Sequence, residues 1–139
     1  MKERSSESIR PWGYYDILFD SDYCKVKKLV IKPKEQTSYQ YHHHREESWT
    51  IVQGFANIKL NGLSMERIQG QSINIPLNAK HRIHNPSTTE DLILIEVQTG
   101  TYFGEDDIIR IEDSYDRDLD HDHSINVWKP KWEWREDEI

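Results

Sequence analysis

Through the first 104 residues of this 139-residue chain, no segment repeats its apolar side chains with the 3.6-residue period of a helix. Short alternating runs take their place, and turn chemistry separates them. Asp20-Ser21-Asp22, Pro33-Lys34-Glu35 and Asn85-Pro86-Ser87 are turn signals, and Asn61-Gly62 between two such runs predicts a hairpin. The runs at 14–19, 25–32, 37–44, 48–53, 55–60, 63–69, 72–75, 81–84 and 91–98 read as strands, with a further one at 108–111. In the 91–98 run, Leu92, Leu94, Glu96 and Gln98 share one face, and Ile93, Ile95 and Val97 share the other. Many short strands without internal repeats predict an all-β sandwich or barrel, and the length suits one domain.

Charge divides the chain differently. The formal net charge is −7, and the residues from Glu105 onward hold 13 acids and 5 bases, leaving 12 acids and 13 bases before them. No basic stripe is present, which argues against a nucleic-acid partner. The first ten residues lack the apolar stretch of a signal peptide, no run is long enough for a membrane span, and Cys24 is the single cysteine. A cytoplasmic, membrane-free protein is the expectation. Residues 1–115 are expected to form the domain, with a short frayed N-terminus. Residues 116–139, acidic and rich in tryptophan, form an extension expected to pack on the barrel or on a second subunit. Open sheet edges point to a homodimer.

Chemistry concentrates in two stretches. The first, Q-Y-H-H-H-R-E-E-S-W-T-I-V-Q-G, runs from Gln40 to Gly54; the second, G-Q-S-I-N-I-P-L-N-A-K-H-R-I-H-N, runs from Gly70 to Asn85. Strand parity sends Gln40, His42 and His44 to one side and Tyr39, Tyr41 and His43 to the other. An imidazole, a carboxylate and a side-chain carbonyl suit a borderline divalent ion, and a histidine from a distant strand would complete four ligands.

Glu47, six residues, Gly54 resembles the second half of the first cupin motif. Gly70, five residues, Pro76, then His81, three residues, Asn85 is similar to the second cupin motif. The blocks R-P-W-G at 10–13, K-V-K-K-L at 25–29, Q-Y-H-H-H-R-E-E at 40–47, I-P-L-N-A-K-H-R at 75–82, E-V-Q-T-G at 96–100 and Y-F-G-E-D-D-I-I-R at 102–110 together resemble type II phosphomannose isomerase. That family is a cupin domain often fused behind a mannose-1-phosphate guanylyltransferase. The resemblance spans residues 10–117 and includes no nucleotidyltransferase domain, so GDP-mannose synthesis is not expected of these residues.

The resemblance implies a cupin double-stranded β-helix, a jelly-roll barrel, with a C-terminal extension. It also implies interconversion of mannose 6-phosphate and fructose 6-phosphate through an enediol, with one divalent metal. Zinc comes first, and cobalt, manganese, nickel or iron are compatible. The ligands it implies are Gln40, His42, Glu47 and His81, where Gln40-Tyr41-His42 resembles a zinc-ligating Q-x-H pair. Strand parity equally allows His42, His44, Glu47 and His81. Glu96 is the candidate base, with His44 second. Arg10, Arg82 and Lys25 are candidates for the substrate's phosphate, with Lys27 sharing the parity of Lys25, and Gln98 is a candidate substrate contact beside Glu96. Two other functions stay open: an isomerase or epimerase of another sugar or nucleotide-sugar, and a non-catalytic sugar-binding cupin. Three positions depart from the family pattern. Lys34 and Asn78 stand where glycine is usual, and His84 stands where an acid is common.

Overall fold

The structure, a computed structural model, describes residues 8–112. The 116–139 extension lies outside them. Eleven strands follow in order: β1 (Ile9–Arg10), β2 (Gly13–Asp20), β3 (Cys24–Ile31), β4 (Tyr39–His42), β5 (Arg45–Gln53), β6 (Phe55–Leu60), β7 (Leu63–Ile68), β8 (Ser72–Ile75), β9 (His81–His84), β10 (Leu92–Gly100) and β11 (Ile108–Glu112). A three-residue 3-10 turn, Glu105–Asp107, precedes β11. Among the described residues no helix is long and apolar enough to cross a membrane.

One sheet has the order β1-β2-β3-β10-β5-β8 and the other β11-β4-β9-β6-β7. All recorded pairings are antiparallel, and strands distant in sequence sit side by side, as in a jelly roll. The Asn61-Gly62 hairpin forms as the sequence predicts, with Leu60 paired to Leu63. The first described strand begins at Ile9, one residue ahead of the start expected at Arg10, because Ile9 and Arg10 pair with Tyr14 and Gly13.

Inward-facing side chains build the core. Leu29 and Ile31 of β3, Leu92 and Leu94 of β10, Trp49 and Ile51 of β5, and Ile73 and Ile75 of β8 meet Ala56, Ile58 and Ile83 of the facing sheet. A fully buried aliphatic side chain of this kind contributes about 1.5–3 kcal/mol. Along several of these strands the inward positions change from apolar to polar at one end. In β3 Lys27 precedes Leu29; in β10 Glu96 and Gln98 follow Leu94; in β5 Arg45 and Glu47 precede Trp49; in β9 His81 precedes Ile83. Antiparallel register aligns those ends. Lys27 pairs with Glu96, Glu96 with Trp49, and Gln98 with Glu47. On the facing sheet Arg110 pairs with Gln40, Gln40 with His81, and His81 with Leu60.

Gly100 shows how tightly β10 crosses β5 beside this polar end. Its φ is 144°, and a Cβ there would overlap the His44 carbonyl oxygen. Lys34 and Asn78 keep the turns that glycine usually makes, with φ of 68° and 62°. The turn at Lys34 is therefore retained. Its N–H donates to the Asn85 carbonyl at 3.0 Å, and Glu35 N–H donates to the Lys32 carbonyl at 3.1 Å, which hold the left-handed residue in place. A side chain in that region is strained by roughly 1–2 kcal/mol, partly offset by the entropy glycine adds to the unfolded chain. Lys34→Gly should therefore stabilise the protein by about 1 kcal/mol. Urea unfolding of both proteins checks this, and a destabilised glycine variant would refute the strain argument.

Candidate metal centre and its pocket

The polar ends of the strands converge on one pocket. Its lining includes Gln40, Glu47 and His81, with Arg45, Trp49 and Glu96 around them. His42, Glu47 and His81 offer ligand atoms that all lie within 4.8 Å of one another, an arrangement able to hold a metal ion. His42 Nε2 is 3.6 Å from Glu47 Oε2, and His81 Nε2 is 3.9 Å from Glu47 Oε1. All three residues are about 98–99% buried, at 2%, 2% and 1% exposure.

His81 carries the observation that fits a metal best. Its Nδ1 is 2.8 Å from the Ala79 carbonyl oxygen, which requires the proton on Nδ1. Nε2 then presents a lone pair, and it is a buried atom with no hydrogen-bond partner among the described residues. Two imidazoles and a carboxylate form a nitrogen–oxygen donor set suited to a borderline divalent ion. The carbonyl that holds His81 Nδ1 is the kind of support that orients metal-ligating histidines.

Gln40 sits at the edge of this group. Ser38 Oγ donates to Gln40 Oε1 at 2.6 Å, and Gln40 Nε2 lies 3.5 Å from His42 Nε2. Ligation by Gln40 would need the amide turned over so that its oxygen faces the histidines, and the Ser38 hydroxyl can accept from the amide nitrogen in that orientation. His44 lies elsewhere. β4 ends at His42, so the alternation that would turn His44 inward stops one residue too early. Asp107 accepts from the backbone N–H of His43 and His44, and its Oδ1 is 2.9 Å from His44 Nδ1. The His44 side chain is 56% exposed and does not line the pocket. His43 points away as parity predicts, with Nδ1 2.7 Å from Asn78 Oδ1.

Glu47 is held from both sides. Arg45 Nε donates to its Oε2 at 2.9 Å and Trp49 Nε1 to its Oε1 at 2.9 Å. Trp49 Nε1 also lies 3.2 Å from Glu96 Oε1, and Gln98 Nε2 donates to Glu96 Oε2 at 2.8 Å. Burial raises the Glu96 pKa, and the neighbouring Glu47 carboxylate adds to that, against the opposing charges of Arg45 and Lys27. Burial pushes His42 down to about 2, with His81 and Arg45 acting the same way. Burial likewise pushes His81 down to about 4.

The remaining candidates separate. Arg10 lines the pocket. Gln98 is fully buried and reaches the pocket only through Glu96. Arg82 follows His81 on a strand and so faces the opposite way. Its Nε donates to the Thr37 carbonyl at 3.1 Å, and its Nη2 lies 2.7 Å from Glu112 Oε1, which takes it out of the phosphate role expected of it. Lys27 lines the pocket and Lys25, one alternation along β3, does not. Sequence reasoning passed over Arg45, Glu105 and Arg110, all of which line the pocket. Arg45 was within reach, since Arg45, Glu47 and Trp49 alternate along one strand. Glu105 gave no periodic signal, because it lies on the short turn.

A two-sheet β-barrel with an inward His-Glu-His set is a cupin domain with a site able to hold a metal. The chain belongs to the family described as the C-terminal domain of mannose-6-phosphate isomerase, which matches residues 1–113. It is 44% identical over 111 residues to the mannose-1-phosphate guanylyltransferase ManC of Salmonella typhimurium, covering 80% of this chain and 23% of that protein. The chain thus spans about a quarter of the length of that relative. Among solved structures it resembles the capsular polysaccharide assembling protein CapF of Staphylococcus aureus, with TM-score 0.64, 21% identity and coverage of 75% of this chain and 33% of that one. It also resembles the cupin domain of Schizosaccharomyces pombe Cnp3, with TM-score 0.60, 15% identity and coverage of 63% and 64%. These structural likenesses carry the fold.

Two outcomes follow from the geometry. Metal content after dialysis should fall for Gln40→Ala and persist for His44→Ala; the reverse pattern would exchange their roles. The second concerns pH. Unfolded histidines titrate near 6.5, whereas His81 stays neutral to about 4 and His42 to about 2. Below pH 6.5 the unfolded state therefore binds more protons. The histidine contribution to the stability of the metal-free protein should be complete above pH 6.5 and decline on acidification, by on the order of 3 kcal/mol for each histidine by pH 4, while buried Glu96, whose pKa is raised, acts in the opposite direction. Urea unfolding of the Glu96→Gln variant in chelator at pH 7.5 and 5, where the opposing carboxylate is gone, measures the histidine contribution, and equal stabilities would contradict the burial argument.

Proposed function

We propose that the site interconverts mannose 6-phosphate and fructose 6-phosphate. The observation that carries this reading is the placement of Glu96 beside the His42-Glu47-His81 group in one pocket, bridged to Glu47 by the Trp49 indole. Family membership supports the choice of substrate. His42, Glu47 and His81, with Gln40, would hold a divalent ion, for which zinc suits the donors best. When bound, that ion supplies Lewis-acid polarisation of the sugar oxygens at C1 and C2.

The chain's own groups do the proton work. Glu96, as carboxylate, takes the proton from C2 of the aldose and returns it to C1 of the enediolate, while the proton of the C2 hydroxyl passes to the oxygen at C1, giving the ketose. Its raised pKa brings it towards the range in which a carboxylate both accepts and releases a proton. Gln98 donates one N–H to the carboxylate and the single Trp49 N–H is shared between it and Glu47, so its lone pairs are held in a set direction. Arg45 balances Glu47 from behind. Deep burial of the group limits water at the carbon that loses its proton.

A coupled assay on mannose 6-phosphate with added zinc, cobalt or manganese tests the reading. Turnover should appear with at least one ion, and Glu96→Gln should lower kcat about 100-fold or more while metal content stays unchanged. Tight metal binding without turnover on any of the three ions would sink the isomerase reading and favour a sugar-binding cupin. Near-normal turnover by Glu96→Gln would remove the base from Glu96 alone.

A further inference from the structure

Beside the metal-binding group, three cations converge on one carboxylate. Glu105 Oε2 lies 3.2 Å from Lys27 Nζ and 3.3 Å from Arg45 Nη1, and Oε1 lies 3.7 Å from Arg10 Nη2. All four residues line the pocket that holds Glu47, His81 and Glu96.

The two partners in this cluster are built differently. The cations stand on strands: Arg10 on β1, Lys27 on β3 and Arg45 on β5. Lys27 and Arg45 are 3% exposed, and the Lys27 ammonium sits over the Tyr15 ring at 4.1 Å. The anion stands on a three-residue turn at the rim, and its side chain is 34% exposed. Burying a lysine beside an arginine is unfavourable unless an anion faces them. Glu47 on β5 takes the Nε side of Arg45, and a side chain from the rim meets the remaining demand of Arg45 Nη1, Lys27 and Arg10 for negative charge.

Space points the same way. The pocket encloses about 50 Å³, whereas ligand pockets run to roughly 300–1,000 Å³. A phosphorylated sugar needs room at the rim, and Glu105 is the rim group that ends on the buried cations. An outward turn of Glu105 would clear space and free the groups of Lys27, Arg45 and Arg10 that now face it, with Arg45 Nε still on Glu47. A phosphate monoester, with its several acceptor oxygens and about two negative charges, meets that demand better than one carboxylate does.

We propose that Arg10, Lys27 and Arg45 form the subsite for the phosphate group of a sugar phosphate, and that Glu105 occupies it until the ligand arrives. The choice of ligand rests on the isomerase reading of the same site. The internal carboxylate keeps the buried cations neutralised between turnovers. It also sets a threshold that an unphosphorylated sugar cannot cross, because such a sugar offers no anion to replace Glu105.

Inorganic phosphate is the probe, applied to the full chain and followed by 31P NMR and by the shift in thermal midpoint. Glu105→Gln keeps the side chain's size and removes its charge. That variant should bind phosphate at least tenfold more tightly than the parent protein, and adding Arg10→Gln should abolish the gain. Arg10 lies on the two-residue edge strand, so Arg10→Gln alone serves as a second variant. It should weaken phosphate binding at least fivefold in the parent chain, and it decides the matter if Glu105→Gln does not fold. Unchanged or weaker phosphate binding by a folded Glu105→Gln, or unchanged binding by Arg10→Gln, overturns the subsite. Phosphate binding needs no turnover, so the two readings fail separately. A gain in Glu105→Gln without isomerisation keeps the subsite and discards the isomerase. Isomerisation without that gain does the opposite.

Discussion

A carboxylate buried inside a β-barrel is the constraint on which the site depends. Glu47 is 2% exposed, and an isolated charge at that depth is unfavourable by several kcal/mol. Arg45 and Trp49 flank it along its own strand, each giving one N–H at 2.9 Å. Both are two residues away, so the pleat places them on the same face as Glu47 without any help from the loops. His42 and His81 close the other side at 3.6 and 3.9 Å. The protein thus holds the carboxylate with donors while leaving the His81 Nε2 lone pair unspent, and that combination makes the group able to take a cation.

The wider barrel turns this local solution into a site with direction. Apolar side chains fill the inward positions along most of each strand, and polar ones take over at one end. Register, not sequence proximity, brings those ends together: Lys27, Glu96 and Trp49 lie in one row across three strands, and Arg110, Gln40 and His81 in a row on the facing sheet. The result has an end able to hold a metal and a cationic end in one pocket. Glu105 holds the cationic end, where burial works to raise its pKa and Lys27 and Arg45 overcome that, bringing it down to about 2.

Strand chemistry was the readable part of the sequence. Alternation and turn residues outlined the barrel, including the hairpin at Asn61-Gly62, because side-chain period and turn conformation are local properties. The readings that moved were those that depended on where a strand stops or which way a neighbour turns. His44 left the pocket because β4 ends at His42 and Asp107, far along the chain, captures the turn. Arg82 left it because adjacent residues on a strand face opposite sides. Lys27 took the place offered to Lys25, since only the one nearer the apolar core reaches the pocket. Lys34 shows that a side chain can hold a left-handed turn when neighbouring backbone bonds secure it.

By itself, then, the sequence determined the class of fold, the family and the residue types that meet at the site, because periodicity and motif spacing are written along the chain. Tertiary structure alone decided which of those residues share the pocket, which nitrogen of His81 is left open, and that Arg10, Lys27 and Arg45 converge on Glu105. Those outcomes depend on contacts between residues far apart in the chain, as in Lys27 and Glu105, whose positions differ by 78. The energy of such a contact depends on distance and burial, and neither quantity exists until the barrel has closed.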